Sequence, residues 1–335
     1  MYSLRPSGEV NTEHYRCEEE DIPGVDDLED GQIAMKTLYC SVDPYMRIQQ
    51  ATSDTWEAPH PLNSVQGGGT IGRVIHSKAE GFNKGDIVAA YTGWREFAVL
   101  QASSARLLDP QKAPIEYALG ILGMPGRTAY FGLYEAGKPK AGETVVVSGA
   151  AGAVGSIVVQ LAKIRGCKVV GIAGSEEKLE FLRELGADCT INYKLHASMK
   201  KMVEALSEAC PEGIDVYFDN VGGLITDSVF HLINTRARVV ICGQISQYNG
   251  GLDEPSLGPR FLHRILYTRA TIQGILSRDY AHRMDEMIDV LAPLLSQGQL
   301  SYRQTIVEGF EKLPEALNML FHGKNVGKLL VKVSE

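Results

Sequence analysis

The residues most able to do chemistry form one glycine-rich turn. Ser148-Gly149-Ala150-Ala151-Gly152-Ala153-Val154-Gly155 continues from the uncharged β-branched run Thr144–Ser148 and leads into a stretch of helical periodicity, Val154–Ile164. Glycines at this spacing let the backbone turn sharply and approach a pyrophosphate, which sits on free N–H groups at the helix N-terminus. The next strand-like run, Lys168–Ile172, leads to the position that reads the adenosine ribose. An NAD site places Asp or Glu there. This chain has Ala173, Gly174 and Ser175, with Lys178 one turn into the following helix. No carboxylate stands at the strand tip to repel a phosphate, and Glu176 and Glu177 can point outward from a helix start that favours acids. The cofactor expected here is NADPH/NADP.

The elements around the turn explain why it is presented. Lys168–Ile172, a helix at Glu176–Leu185 and Cys189–Asn192 continue an alternation of strand and helix. A helix near Ala197–Glu208, Ile214–Phe218, a helix near Leu224–Ile233 and Ala237–Cys242 follow. A helical stretch around Pro259–Tyr267 then leads to Thr271–Ile275. Six strands with five helical crossovers predict a doubly wound parallel sheet. The first hundred residues instead contain short strand-like pieces, Ile33–Tyr39, Ile71–His76, Asp86–Ala90 and Glu96–Leu100, between Gly and Pro clusters, which suits a β-rich module. After residue 280 come a helix (Ala281–Gln297), a strand (Tyr302–Glu308), a short helix (Leu313–Phe321) and a strand (Lys328–Val333). Two terminal strands cannot form a domain alone, so they are expected to return to the N-terminal module. The layout is an α/β domain at 119–289 inserted into a discontinuous β-rich domain of residues 1–118 plus 290–335.

Composition bounds the function. Thirty-three Lys and Arg against 41 Asp and Glu give a net charge of −8, and no long basic run occurs, which argues against nucleic acid or an anionic membrane as partner. Six cysteines without a C-x-x-C pair and no secretory pattern at the start point to a reducing, cytoplasmic setting. The uncharged run from Thr144 to Ala162 imitates a membrane span, but Ser148, Gly149, Gly152, Gly155 and Ser156 within it mark a strand, a turn and a helix.

Across its length the chain resembles the medium-chain dehydrogenase/reductase superfamily. Zinc-binding members carry Cys-x-x-Asp, then Gly-His-Glu-x-x-Gly, then a Gly-Cys pair. Here the first motif is Cys40-Ser41-Val42-Asp43, but Gly68 stands where His would be and Met124 where Cys would be. The four closely spaced cysteines of a structural zinc lobe are also missing. One ligand cannot hold zinc, so no metal is expected, and Cys40 reads as a small buried side chain.

The segments Leu38–Arg47, Gly120–Tyr130, Asp215–Gly223 and Cys242–Asn249 are similar to the zinc-independent branch that contains prostaglandin reductases (15-oxoprostaglandin 13-reductases), alkenal double-bond reductases and curcumin reductases. The resemblance implies a Rossmann sheet inserted into a GroES-like domain. It also implies NADPH-dependent reduction of the C=C bond of an α,β-unsaturated ketone or aldehyde, with hydride delivered to the β-carbon and the enolate stabilised without a metal. Tyr248 is expected to donate a hydrogen bond to the carbonyl oxygen or to orient the cofactor ribose, and Tyr45 and Tyr91 to wall the substrate pocket.

The cofactor contacts implied are Gly149, Ala151, Gly152, Ala153, Val154 and Gly155 at the pyrophosphate, and Gly174, Lys178 and Tyr193 at the 2′-phosphate. Asn220, Cys242, Gly243, Gln244, Ile245, Ser246 and Tyr248 would line the nicotinamide side, with Ile275 and Leu276 packing on it and Asn325 closing the cleft. Gln49–Gln66 departs from the family's substrate loop, with the Thr55-Trp56 region replacing its usual tyrosine. A quinone reductase of the same branch and a non-catalytic NADPH-binding protein are the competing readings. A homodimer is a family expectation.

Overall fold

The computed structural model describes residues 1–250 and 257–335. The N-terminal part contains β1 (Gln32–Ser41), α1 (Tyr45–Gln49), β2 (Thr70–Ser77), β3 (Ile87–Ala90), β4 (Phe97–Gln101) and β5 (Arg106–Leu108). After α2 (Met124–Phe131) the chain alternates regularly. The series is β6 (Thr144–Val147), α3 (Gly155–Ile164), β7 (Lys168–Ala173), α4 (Glu176–Glu184), β8 (Cys189–Asn192) and α5 (Met199–Ala209). It continues with β9 (Ile214–Asp219), α6 (Gly223–Val229), β10 (Ile233–Ile241), α7 (Leu262–Thr268) and β11 (Thr271–Gly274). The chain ends in α8 (Met284–Ser296), β12 (Gln304–Glu308), α9 (Leu313–Phe321) and β13 (Lys328–Lys332).

The second series makes a parallel sheet in the order β11-β10-β9-β6-β7-β8. Its first strand, β6, lies beside β9, so the strand order reverses there and opens a crevice at the carboxyl ends. The core shows why these apolar runs become strands rather than helices. Successive strand residues face opposite sides. Val145, Val147, Val169, Val216, Phe218 and Val240 join one apolar cluster, while Val146, Val170, Tyr217 and Val239 join the other. Helices cover both faces, so the strands carry no polar alternation.

The other sheet runs β12-β13-β1-β2-β3-β5, with β4 also paired to β1. β13 pairs antiparallel with β1, Tyr39 opposite Lys332, and β12 runs parallel to β13. The terminal strands thus complete the N-terminal sheet. The expected boundary at 289/290 falls inside α8, whose Met287 and Leu291 belong to the same cluster as Val145. The chain crosses back only beyond Tyr302, which packs edge-on against Tyr117 in the opposite crossing segment with ring centroids 5.8 Å apart. That packing also explains why the strand expected from Tyr302 starts at Gln304. Helix α2 was not legible from its glycines. Gly126 belongs there because a Cβ would lie 1.8 Å from the Ile121 carbonyl oxygen.

Candidate active site

The glycine turn sits at the tip of β6, beside the crevice. Gly149 has φ +57°, a conformation glycine adopts without strain. A Cβ on Gly155 would stand 2.4 Å from the Gly149 carbonyl oxygen, so the helix can start this close to the strand only with glycine there. The N–H groups of Val154 and Gly155 find no hydrogen-bond partner among the described residues. Two free donors at the start of a ten-residue helix suit a pyrophosphate. From the other module, the Gly327 N–H donates to the Ala151 carbonyl at 2.8 Å, and Gly152 bridges Gly327. Asn325, buried beside it, donates from Nδ2 to the Gly327 carbonyl at 2.8 Å. The C-terminal segment therefore touches the glycine turn directly.

At the tip of β7, a Cβ on Gly174 would lie 2.9 Å from the Tyr193 hydroxyl, so this glycine and this ring form one cradle. Lys178 donates from Nζ to the Gly323 carbonyl at 2.9 Å. Burial and the neighbouring Lys194 charge push its ammonium below the ordinary lysine range. Two crowded cations are what a dianionic phosphate relieves. Lys194 is a second cation at this end, marked in the sequence only by its adjacency to Tyr193. Glu176, the acid that could oppose a phosphate, pairs instead with Arg183 at 2.8 Å. The residues present fit a 2′-phosphorylated dinucleotide.

The floor between these ends is held by a buried carboxylate. Asp219 accepts from the hydroxyls of Ser148 and Tyr217, each at 2.9 Å, and from Thr226 at 2.7 Å. It also accepts from the N–H groups of Val221 and Gly222. Asn220 donates from Nδ2 to the Ser148 carbonyl at 2.7 Å. The tips of β6 and β9 are locked together by these bonds, and Asp219 is a site-building residue that the sequence reading did not single out.

After β10, the N–H groups of Cys242 and Gly243 both donate to the Asp219 carbonyl, at 2.9 and 3.0 Å. Burial pushes the Cys242 thiol up to about 12, so it is no thiolate nucleophile at neutral pH. Gln244 lines the edge of Gly222, and Ser246 donates to the Val221 carbonyl at 2.6 Å. Ile245 opens the short helical turn that carries Tyr248. The Tyr248 hydroxyl accepts from the Gln244 N–H at 2.8 Å and lies 2.9 Å from where a Gly243 Cβ would be. Burial raises its pKa to about 12. Ile275 is buried beyond β11, its N–H on the Ile241 carbonyl at 3.0 Å, with Leu276 half-buried next to it.

Tyr45 and Tyr91 come together across α1 and the loop after β3. Burial, the Asp43 charge and the hydrogen bond with Tyr91 hold the Tyr45 hydroxyl well above its ordinary range. The Tyr91 hydroxyl lies 2.8 Å from where a Gly67 Cβ would be. At Gly68, the methyl end of Met46 lies 2.8 Å from the position of a Cβ, so Met46 occupies the space a histidine at 68 would enter. Cys40, Met46 and Trp94 belong to one apolar cluster. Among the described residues no three of His, Cys, Asp and Glu gather as metal ligands.

The match to known proteins spans these same modules. Residues 2–108 match the model of an oxidoreductase N-terminal domain, and residues 153–293 that of the zinc-binding dehydrogenases. The chain belongs to the medium-chain dehydrogenase/reductase family, in the branch of prostaglandin, alkenal and curcumin reductases. A Bacillus subtilis protein provisionally named an NADP-dependent oxidoreductase is 47% identical over 332 residues, covering 99% of this chain and 96% of its own length. The NADPH-dependent curcumin reductase of Escherichia coli is 38% identical over 340 residues, covering 100% and 96%. The crystal structure of CurA from Vibrio vulnificus in complex with NADPH superposes with a TM-score of 0.91 at 39% identity, covering 100% of this chain and 98% of that one. This reductase is an NADP-dependent oxidoreductase, and its cofactor is NADPH. Its described helices include none long and apolar enough to cross a membrane.

Proposed function

We propose that the enzyme reduces the C=C bond of α,β-unsaturated ketones and aldehydes, with Tyr248 as the hydrogen-bond donor to the carbonyl oxygen. One observation carries this reading: the buried, neutral hydroxyl of Tyr248 stands just beyond β10 at the carboxyl edge of the sheet. NADPH supplies a hydride. The protein must then stabilise the negative charge that develops on the substrate oxygen once the β-carbon accepts it. Fixed donors do this best where water is excluded. Because Tyr248 already accepts from the Gln244 N–H, its own proton is directed to a second partner, and with a pKa near 12 the proton stays on at neutral pH. Ala153, Val154 and Gly155 hold the pyrophosphate, and Lys178, Tyr193 and Gly174 hold the 2′-phosphate. Asn220, Ile275 and Leu276 set the nicotinamide side, and Tyr45 and Tyr91 form the substrate wall.

The test is NADPH oxidation at 340 nm with a panel of enones and alkenals beside a panel of quinones, with NADH as control. Enone-dependent, NADPH-selective turnover supports the reading. Turnover with quinones alone overturns it in favour of a quinone reductase, and tight NADPH binding without turnover in favour of a non-catalytic role.

The enzyme is also proposed to form a homodimer through the β11 edge. All four β11 residues are exposed and the strand ends its sheet, while Leu262, Leu266 and Tyr267 of the neighbouring α7 are exposed as well. An open strand edge beside apolar side chains favours pairing with another copy. Light scattering on the purified enzyme gives twice the chain mass if this holds and the single-chain mass if it does not.

A further inference from the structure

Where the chain crosses between the two modules it leaves a cavity of about 500 Å³, within the size range of small-molecule sites. Pro114 and Tyr117 line it from the outgoing segment, Leu300 and Tyr302 from the returning one, and Ala292 and Leu295 from α8. None of these residues takes part in the cofactor site or the proposed substrate wall.

The lining selects a class of guest. Among the described residues no carboxylate or guanidinium lines the cavity, and its ammonium group, that of Lys112, is 82% exposed and 3.7 Å from Asp109. A charged guest would give up water without gaining a buried partner. Tyr302 offers a different contact. Its ring packs against the outgoing segment so closely that a Cβ on Gly120 would lie 2.4 Å from a ring carbon. Its hydroxyl is buried and finds no hydrogen-bond partner among the described residues, while burial and the Asp43 charge keep it protonated. An unpaired buried donor is costly, and an accepting oxygen relieves it.

The wall is also tied to the cofactor turn. Ser301, beside Tyr302, accepts at its carbonyl from Gln160 Nε2 at 2.9 Å and donates its N–H to Gln160 Oε1 at 2.7 Å. Gln160 belongs to α3, the helix that begins at the glycine turn. The next carbonyl but one, that of Arg303, accepts from the Lys328 N–H at 3.0 Å, adjacent to the Gly327 that bonds Ala151.

We propose that this cavity is a second small-molecule site, taking a compact uncharged ring compound with one accepting oxygen, and that filling it tightens NADPH binding. A guest packed between α8 and the two crossing segments favours the module arrangement in which Gly327 holds the Ala151 carbonyl. A ligand shifts an equilibrium only through such differential contacts. The inference does not depend on which substrate is reduced.

Acetophenone is the probe, and ethylbenzene, of similar shape without an acceptor, is the control. Fluorescence titration should give a Kd for NADPH about fivefold lower with acetophenone, a modest allosteric coupling, and a smaller change with ethylbenzene. By reciprocity, equilibrium dialysis should show acetophenone binding the NADPH-loaded protein more tightly by the same factor. Ala292→Phe fills the cavity and should abolish both effects. Tyr302→Phe removes only the hydroxyl. It should melt no lower than the wild type, because that hydroxyl has no partner to lose, and should reduce acetophenone to the level of ethylbenzene. An unchanged Kd in the wild type overturns the proposal, as does an effect of undiminished size in either folded variant. A raised Kd overturns it too, by showing that acetophenone competes in the cofactor cleft.

Discussion

Lys328 Nζ donates to Asp43 Oδ1 at 2.9 Å and to the Val42 carbonyl at 2.8 Å, with both charged side chains buried. Ser41 also donates its hydroxyl to Asp43. Lys328 follows Gly327, which holds the cofactor turn through Ala151, while Asp43 stands two residues before Tyr45. Two consecutive residues of the C-terminal segment therefore fasten the glycine turn and the proposed substrate wall.

Removing one partner of this pair should cost more than removing both. Lys328→Met leaves a buried carboxylate uncompensated, which costs about 3–5 kcal/mol. Adding Asp43→Asn should recover much of that loss. Urea unfolding of the two variants and the wild type checks the order; equal losses in both would mean that the pair contributes only by packing.

Lys178→Ala should raise the Kd of NADPH by about tenfold to a hundredfold, the range expected when a hydrogen bond to a charged group is lost. NADH should change by less than about twofold on the same reasoning, because it lacks the phosphate. Lys194→Ala should show a smaller effect of the same kind. Cofactor titrations by fluorescence measure all three, and equal losses for NADPH and NADH would remove the 2′-phosphate assignment.

Tyr248→Phe should lower kcat by about a hundredfold, the scale for loss of one oxyanion donor, with little change in NADPH affinity. The pH dependence follows from burial, which raises this hydroxyl to about 12. The donor form is the protonated one, so it persists at every pH below that value and is lost only as pH rises through it. A wild-type kcat profile without a fall from this group between neutral pH and 10 is expected, and unchanged kcat in the variant would end the catalytic role.

Gly155→Ala tests the cradle. Its methyl group would meet the Gly149 carbonyl oxygen at 2.4 Å and the Ala150 Cα at 2.7 Å, both backbone atoms with little room to move. A loss of about 1–3 kcal/mol in stability is expected for such overpacking, with weakened NADPH binding. Thermal melting with and without NADPH reads both effects, and a variant that melts and binds like the wild type would show that the helix start is not constrained there.

Much of the proposed cofactor site was legible because its chemistry is local in sequence. The turn from Ser148 to Gly155, the missing carboxylate at Ala173 and the nearby Lys178 all lie within one strand-helix-strand unit. Asp43 was legible only as a relic of a ligand motif, since its partner Lys328 lies 285 residues away. Asp219 was hidden for a similar reason: an acid at a strand end looks ordinary until its partners arrive from other segments.

By itself, the order of apolar runs, turns and charges determined the parallel sheet and the glycine turn followed by a strand tip without a carboxylate, which follow from side-chain periodicity, glycine's freedom and the sign of nearby charges. Gly68 in the histidine position was legible only through the resemblance to the family's motif. Only the tertiary structure decided that Met46 fills the space beside Gly68, that α8 stays with the nucleotide-side core, and that Lys328 neutralises Asp43. Each of these depends on which surfaces meet when distant segments pack, and packing selects partners by shape and charge in space rather than by spacing along the chain.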